Sequence, residues 1–176
     1  MKNLYQLIPN VEQRNAAIID LKFAKKLLKR LSDGDETVDP TFVVYIGFLV
    51  FGLVELSKAQ KDLSYTNEHI SVISESYHTR ALDFSGKRKQ VESLPINQQK
   101  IEREKIDLKF AQHLLGLWVK NKIVNANDAL YVGYLVHSIF FQKTNVSAEK
   151  FSTPERIEHL AVYFHEYAMK ERFAKS

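Results

Sequence analysis

The sequence predicts an all-α protein: two tandem copies of one three-helix unit, about six main helices in a pseudo-twofold bundle. Two repeated blocks carry this reading. The run Ile19-Asp20-Leu21-Lys22-Phe23-Ala24 recurs letter for letter as Ile106-Asp107-Leu108-Lys109-Phe110-Ala111, and Leu-Leu follows two residues later in both places. Tyr45-Ile46-Gly47-Phe48-Leu49-Val50 then matches Tyr131-Val132-Gly133-Tyr134-Leu135-Val136. The spacing is 87 positions for the first block (19 to 106) and 86 for the second (45 to 131), so one residue of length change separates them. A weaker third match pairs Ile70, Ile73, Tyr77, His78 and Ala81 with Ile157, Leu160, Phe164, His165 and Ala168. The chain divides into a segment 1–13, unit A at 14–84, a basic flexible linker at 85–100, and unit B at 101–176.

The first helix of unit A is amphipathic. Ile18, Leu21, Ala24, Leu28 and Leu31 recur at steps of three and four, while Lys22, Lys25, Lys26 and Lys29 occupy another face. Ser32-Asp33-Gly34-Asp35 ends it, because glycine accepts the left-handed turn beyond a helix. The copy in unit B is expected from about Ile101 to Val119. Thr41 to Val54 and Ala129 to Phe141 are nearly all apolar and rich in β-branched and aromatic residues, so propensity alone allows a buried strand. Length and caps favour helix. Asp39-Pro40 puts a capping carboxylate before a proline suited to the first turn, and Asn127-Asp128 is expected to do the same in unit B. These uncharged runs fall short of the roughly 20 residues of a membrane span, so no membrane is expected and both helices read as central and buried. The third helices are expected to start near Thr66-Asn67 and at Ser152-Thr153-Pro154-Glu155.

Gly47 and Gly133 hold equivalent places inside these apolar helices, where glycine costs about 1 kcal/mol relative to alanine. Close approach of another helix compensates that cost, which predicts that the two central helices cross near the glycines.

Composition narrows the function classes. The chain has no cysteine, which removes disulfides, thiolate catalysis and cysteine metal sites, and the first residues lack the continuous apolar stretch of a signal peptide. A cytoplasmic protein is expected. Hydrophobic residues at 45% and charged residues at 26% describe a folded chain. Asp33 to Asp39 alternates carboxylates like a calcium loop, but Val38 stands where that loop needs glycine and Val44 where it needs glutamate. The six histidines include no pair at the i, i+4 spacing of a helical metal site, so no metal is expected. His78 and His165 are equivalent by the repeat and predict one shared polar contact per unit; His137 stands where unit A has Phe51 and is expected to meet a group across the core. Nothing resembles a phosphate-cradling glycine loop, a nucleophile elbow or a nicotinamide fingerprint. No catalytic residue, no cofactor and no enzymatic activity are expected.

Basic residues give the leading surface signal. Lys22, Lys25, Lys26 and Lys29 follow i, i+3, i+4, i+7, and Arg30 extends the stripe. The linker adds Lys87, Arg88 and Lys89, with Arg80 just before it. Such clusters are the footprint of a nucleic-acid backbone or of an acidic partner, and a solvated lysine face is the competing explanation. In unit B the matching residues are Lys109, Gln112, His113 and Gly116, so the fold does not require the stripe. Unit B is the more aromatic half, which marks Tyr163, Phe164 and Tyr167 as protein-interface candidates, while Trp118 reads as packing. The expected function is a non-enzymatic helical binding or adaptor protein, a subunit or inhibitor of a larger complex with an unidentified protein partner. Nucleic-acid backbone binding through the lysine stripe and linker is the alternative. Homo-oligomers are compatible with either.

Overall fold

A computed structural model describes residues 2–58, 65–144 and 153–174. These residues form eight helices: α1 (Leu4–Leu7), α2 (Val11–Ser32), α3 (Pro40–Ser57), α4 (Asn67–Ser85), α5 (Arg88–Glu92), α6 (Ile96–Val119), α7 (Ala126–Thr144) and α8 (Pro154–Ala174). No strand occurs among them; one isolated bridge joins Lys2 to Val124. The protein is all-helical.

Local chemistry sets most boundaries. Asn10 caps α2 by accepting from the Gln13 N–H at 3.0 Å, and Lys29 and Arg30 oppose the negative end of its dipole. Gly34, at φ +84°, turns the chain away. Asp39 caps α3 through the Thr41 N–H at 2.9 Å with Pro40 in the first turn, and Thr66 caps α4 through the His69 N–H at 3.1 Å. Thr153 caps α8; Ser152 lies outside the described residues. In α7 the expected cap is corrected: Asn125 accepts from the Asn127 N–H at 2.8 Å, while Asp128, one turn inside, accepts the Tyr77 hydroxyl. The segment 85–100 is also corrected. It holds α5 and the first turn of α6, which begins at Ile96 and not near Ile101.

Two helix pairs make the centre, α3 against α7 and α2 against α6. The third helices pack across: α4 lies on α6 and α7, and α8 lies on α2 and α3. Leu21, Leu28, Val43, Val44, Ile46, Leu108, Leu115 and Trp118 are sealed between these layers. Burying a side chain of phenylalanine size contributes about 1.5 to 3 kcal/mol. By length and mean hydropathy (1.8) α3 is sufficient to cross a membrane, yet its Val43, Val44, Ile46 and Val50 are fully buried in this bundle.

The central pair crosses at the two glycines. A Cβ at Gly47 would overlap the His137 ring, and a Cβ at Gly133 would come within 2.7 Å of the Phe51 ring. His137 therefore does meet groups across the core, with ring centroids 5.5 Å from Phe48 and 5.1 Å from Phe51. Burial holds its pKa down against the opposing effect of the Val44 carbonyl, and its Nε2 is buried without a hydrogen-bond partner.

Candidate functional site

Two polar clusters, one buried and one part-buried, fasten α4 and α8. His165 of α8 meets Asp20 of α2 through Nδ1 at 2.8 Å, and His78 of α4 meets Asp107 of α6 through Nδ1 at 3.1 Å. Tyr131 donates its hydroxyl to Asp107 at 2.7 Å. Burial pushes the Asp20 carboxyl above the usual carboxylate range, and hydrogen bonding and charge from His165 pull it back. Tyr45 is pushed up to about 12 by burial and by the Asp20 charge. Tyr131 is raised by burial and Asp107. Each imidazole spends its Nδ1 on a carboxylate and each carboxylate is shielded, so the clusters act as structural clasps.

The basic residues divide into paired and unpaired groups. Arg30 leaves the stripe: it donates to Asp35 at 2.8 Å and to Thr37 at 3.0 Å, rigidifying the loop after α2. Hydrogen bonds from Thr37, with Arg30 beside it, hold Asp35 down at about 2. Lys26 turns to Glu171 of α8 at 3.3 Å. Arg80 lies over the Tyr77 ring at 4.6 Å and 3.7 Å from Asp128. Arg88 is shared between Asp83 at 3.1 Å and Glu92 at 3.3 Å. Lys22, Lys25, Lys29, Lys87 and Lys89 are exposed and make no ion pair among the described residues.

The unpaired lysines of α2 border a groove of about 370 Å³ against α6. Lys22, Lys25 and Lys29 stand on one side, Lys120 on the other, and Gly116, Val119 and Gln112 lie between. Gln112 is fixed by donating to Ser32 Oγ at 3.2 Å. Lysine stems and Val119 make the floor apolar. Gly116 makes room for the Lys25 side chain that lies across it, since a Cβ there would approach Lys25 Nζ at 3.0 Å. A second hollow of about 310 Å³, between α2 and α8, shares Lys22 and Lys26 and includes Glu171. The linker lysines lie elsewhere: Lys87 borders a hollow with Ile101, and Ile101 to Gly116 along α6 is roughly 22 Å at 1.5 Å per residue. The stripe and the linker are not one continuous surface.

Sequence reasoning missed Lys120 and Val119. The available signal was Gly116, which aligns with Lys29 in the repeat and leaves a gap opposite a lysine ridge. The aromatic candidates also divide. Phe164 is corrected: it is 0% exposed and packs on Phe23, Phe42 and Tyr45 with centroids 4.9, 5.5 and 4.7 Å away, so it is core and not interface. Tyr163 and Tyr167 remain 48% and 42% exposed, with tilted rings 5.5 Å apart, and Tyr167 also meets the Phe42 ring at 5.3 Å. Among the described residues no group of three or more histidine, aspartate or glutamate side chains is placed to hold a metal ion.

Comparison with protein-family models, with curated proteins and with solved structures yields no match to this chain.

Proposed function

We propose that the chain is a non-enzymatic binding protein that attaches to another macromolecule through acidic groups, using the groove between α2 and α6. The observation that carries this reading is the concentration of four lysines without an ion-pair partner among the described residues, Lys22, Lys25, Lys29 and Lys120, around one apolar floor. Like charges this close repel one another, and an anionic partner relieves that repulsion. A cytoplasmic adaptor or inhibitory subunit of a larger complex fits this chemistry.

The architecture belongs to the same proposal: a tandem duplication folded as a pseudo-twofold fused dimer. Equivalent residues in equivalent roles support it. Asp20 with His165 corresponds to Asp107 with His78, and Gly47 under His137 to Gly133 under Phe51. Gly34 and Asn121, 87 positions apart (34 to 121), both adopt left-handed backbone, at φ +84° and +64°. The groove lies where the two first helices meet, and the residue that differs there is Gly116 against Lys29. Nucleic-acid backbone binding is the second reading, favoured by the lysine stripe itself. The separate position of the linker lysines and the internal pairing of Arg30, Arg80 and Arg88 weigh against it.

The test is a titration of the folded protein against labelled single-stranded and double-stranded nucleic acid and against acidic polypeptide, at low and high salt. A Lys22→Glu, Lys25→Glu, Lys29→Glu variant runs alongside. Binding that weakens with salt and disappears in the folded variant is the expected result. No binding to any polyanion at low salt overturns the proposal.

A further inference from the structure

We infer that the occupant of this groove is an acidic amphipathic helix of a partner protein; the inference rests on the binding function proposed above. Charge sets the sign of the occupant, because Lys22, Lys25, Lys29 and Lys120 face the groove without carboxylate partners among the described residues. The floor sets its second property. Val119 and the lysine stems offer an apolar seat, which a bare phosphate backbone leaves unused and an apolar side chain fills.

Length and shape agree. Lys22 to Lys29 covers roughly 10 Å along α2, two turns of helix. A partner helix laid over this length places one apolar side chain on Val119 and carboxylates a turn to either side, within reach of the lysines. No aromatic ring borders the groove, so a nucleic-acid base finds no stacking platform there. The Gln112 amide, held by Ser32, adds one fixed polar group beside the seat.

The test uses the isotope-labelled full chain and three probes of equal length: a synthetic helical peptide with leucines on one face and glutamates flanking them, polyglutamate, and oligothymidine. Backbone amide shifts report where each binds. The peptide is expected to move amides at 22–29 and 112–120 and to bind roughly tenfold more tightly than polyglutamate. Lys25→Glu with Lys29→Glu is expected to weaken the peptide at least about tenfold. Val119→Asn, which removes the apolar seat without adding charge, is expected to remove the advantage of the peptide while leaving polyglutamate binding in place. Val119→Thr gives the same readout if Val119→Asn does not fold.

Polyglutamate binding as tightly as the peptide overturns the inference, since the apolar seat then contributes nothing. Oligothymidine binding more tightly than the peptide, with the same lysine dependence, also overturns it but leaves the anion-binding function standing. Failure of all three probes at low salt overturns both.

Discussion

Asp107 is a single carboxylate on which two other buried groups depend. Its removal by Asp107→Ala strands the His78 Nδ1 and the Tyr131 hydroxyl, and each unsatisfied buried group costs about 1 to 3 kcal/mol. Asp107→Ala is therefore expected to lower stability by about 2 to 4 kcal/mol in urea unfolding. Asp20→Ala is expected to cost about half as much, because the His165 side chain is 35% exposed and water can replace the lost acceptor. Equal losses would refute that account. Asp20 also sets a pH signature. Its folded pKa is raised above the ordinary 3.8, so the folded state retains a proton that the unfolded chain has released. Stability attributable to Asp20 accordingly falls as pH rises from 3.8 through the raised folded value. The stability difference between wild type and Asp20→Asn should shrink across that window and then level off. The repeat made these pairs legible in part: it equated His78 with His165 and Asp20 with Asp107, but not which aspartate faces which histidine. That pairing depends on the third helices crossing over, and no local pattern encodes it. Phe164 failed for a related reason. Neighbours on a helix point about 100° apart, so Tyr163 and Phe164 are distinguished only by where α2 and α3 lie.

Among the helices, α3 and α7 depend on close approach. Gly47→Ala and Gly133→Ala each place a methyl group against a ring, and overpacking of this kind costs about 1 to 3 kcal/mol. Gly52 is the control. It lies on the same helix, exposed, with nothing within 4 Å of an added Cβ, so Gly52→Ala is expected to gain about 0.5 to 1 kcal/mol. Thermal unfolding of the three variants checks the contrast, and His137→Ala should rescue Gly47→Ala specifically. This crossing was legible in the sequence because a glycine in an apolar helix needs compensation, and two glycines at equivalent positions need the same one. The segment 85–100 was not. Its α5 has little apolar pattern and only Val91 buried, and ion pairs of Arg88 with Asp83 and Glu92 hold a stretch whose composition resembles a linker. The start of α7 was misplaced by two residues because Asn125, Asn127 and Asp128 are all competent caps; the Tyr77 hydroxyl claims Asp128.

At the level of the whole molecule, α4 and α8 tie together halves that the repeat divides. Neither half of the sequence packs by itself, because α4 lies on α6 and α7 while α8 lies on α2 and α3. Fragments 1–86 and 87–176 are expected to unfold without a sharp transition when separate, and to regain cooperative helical melting by circular dichroism when mixed. A fragment that melts cooperatively as a monomer would contradict this packing. The fold class and the order of helices were readable from periodicity and caps, while the exchange of third helices is a property of the assembled core.

That exchange also governs the order of events at the ribosome. The Lys26–Glu171 ion pair joins residues 145 positions apart, so α2 and α3 meet α8 only after the helices between them have emerged. At roughly 5 to 20 residues per second, α3 waits on the order of ten seconds for α7 and α8. With its mean hydropathy of 1.8, it is the segment a chaperone would hold during synthesis.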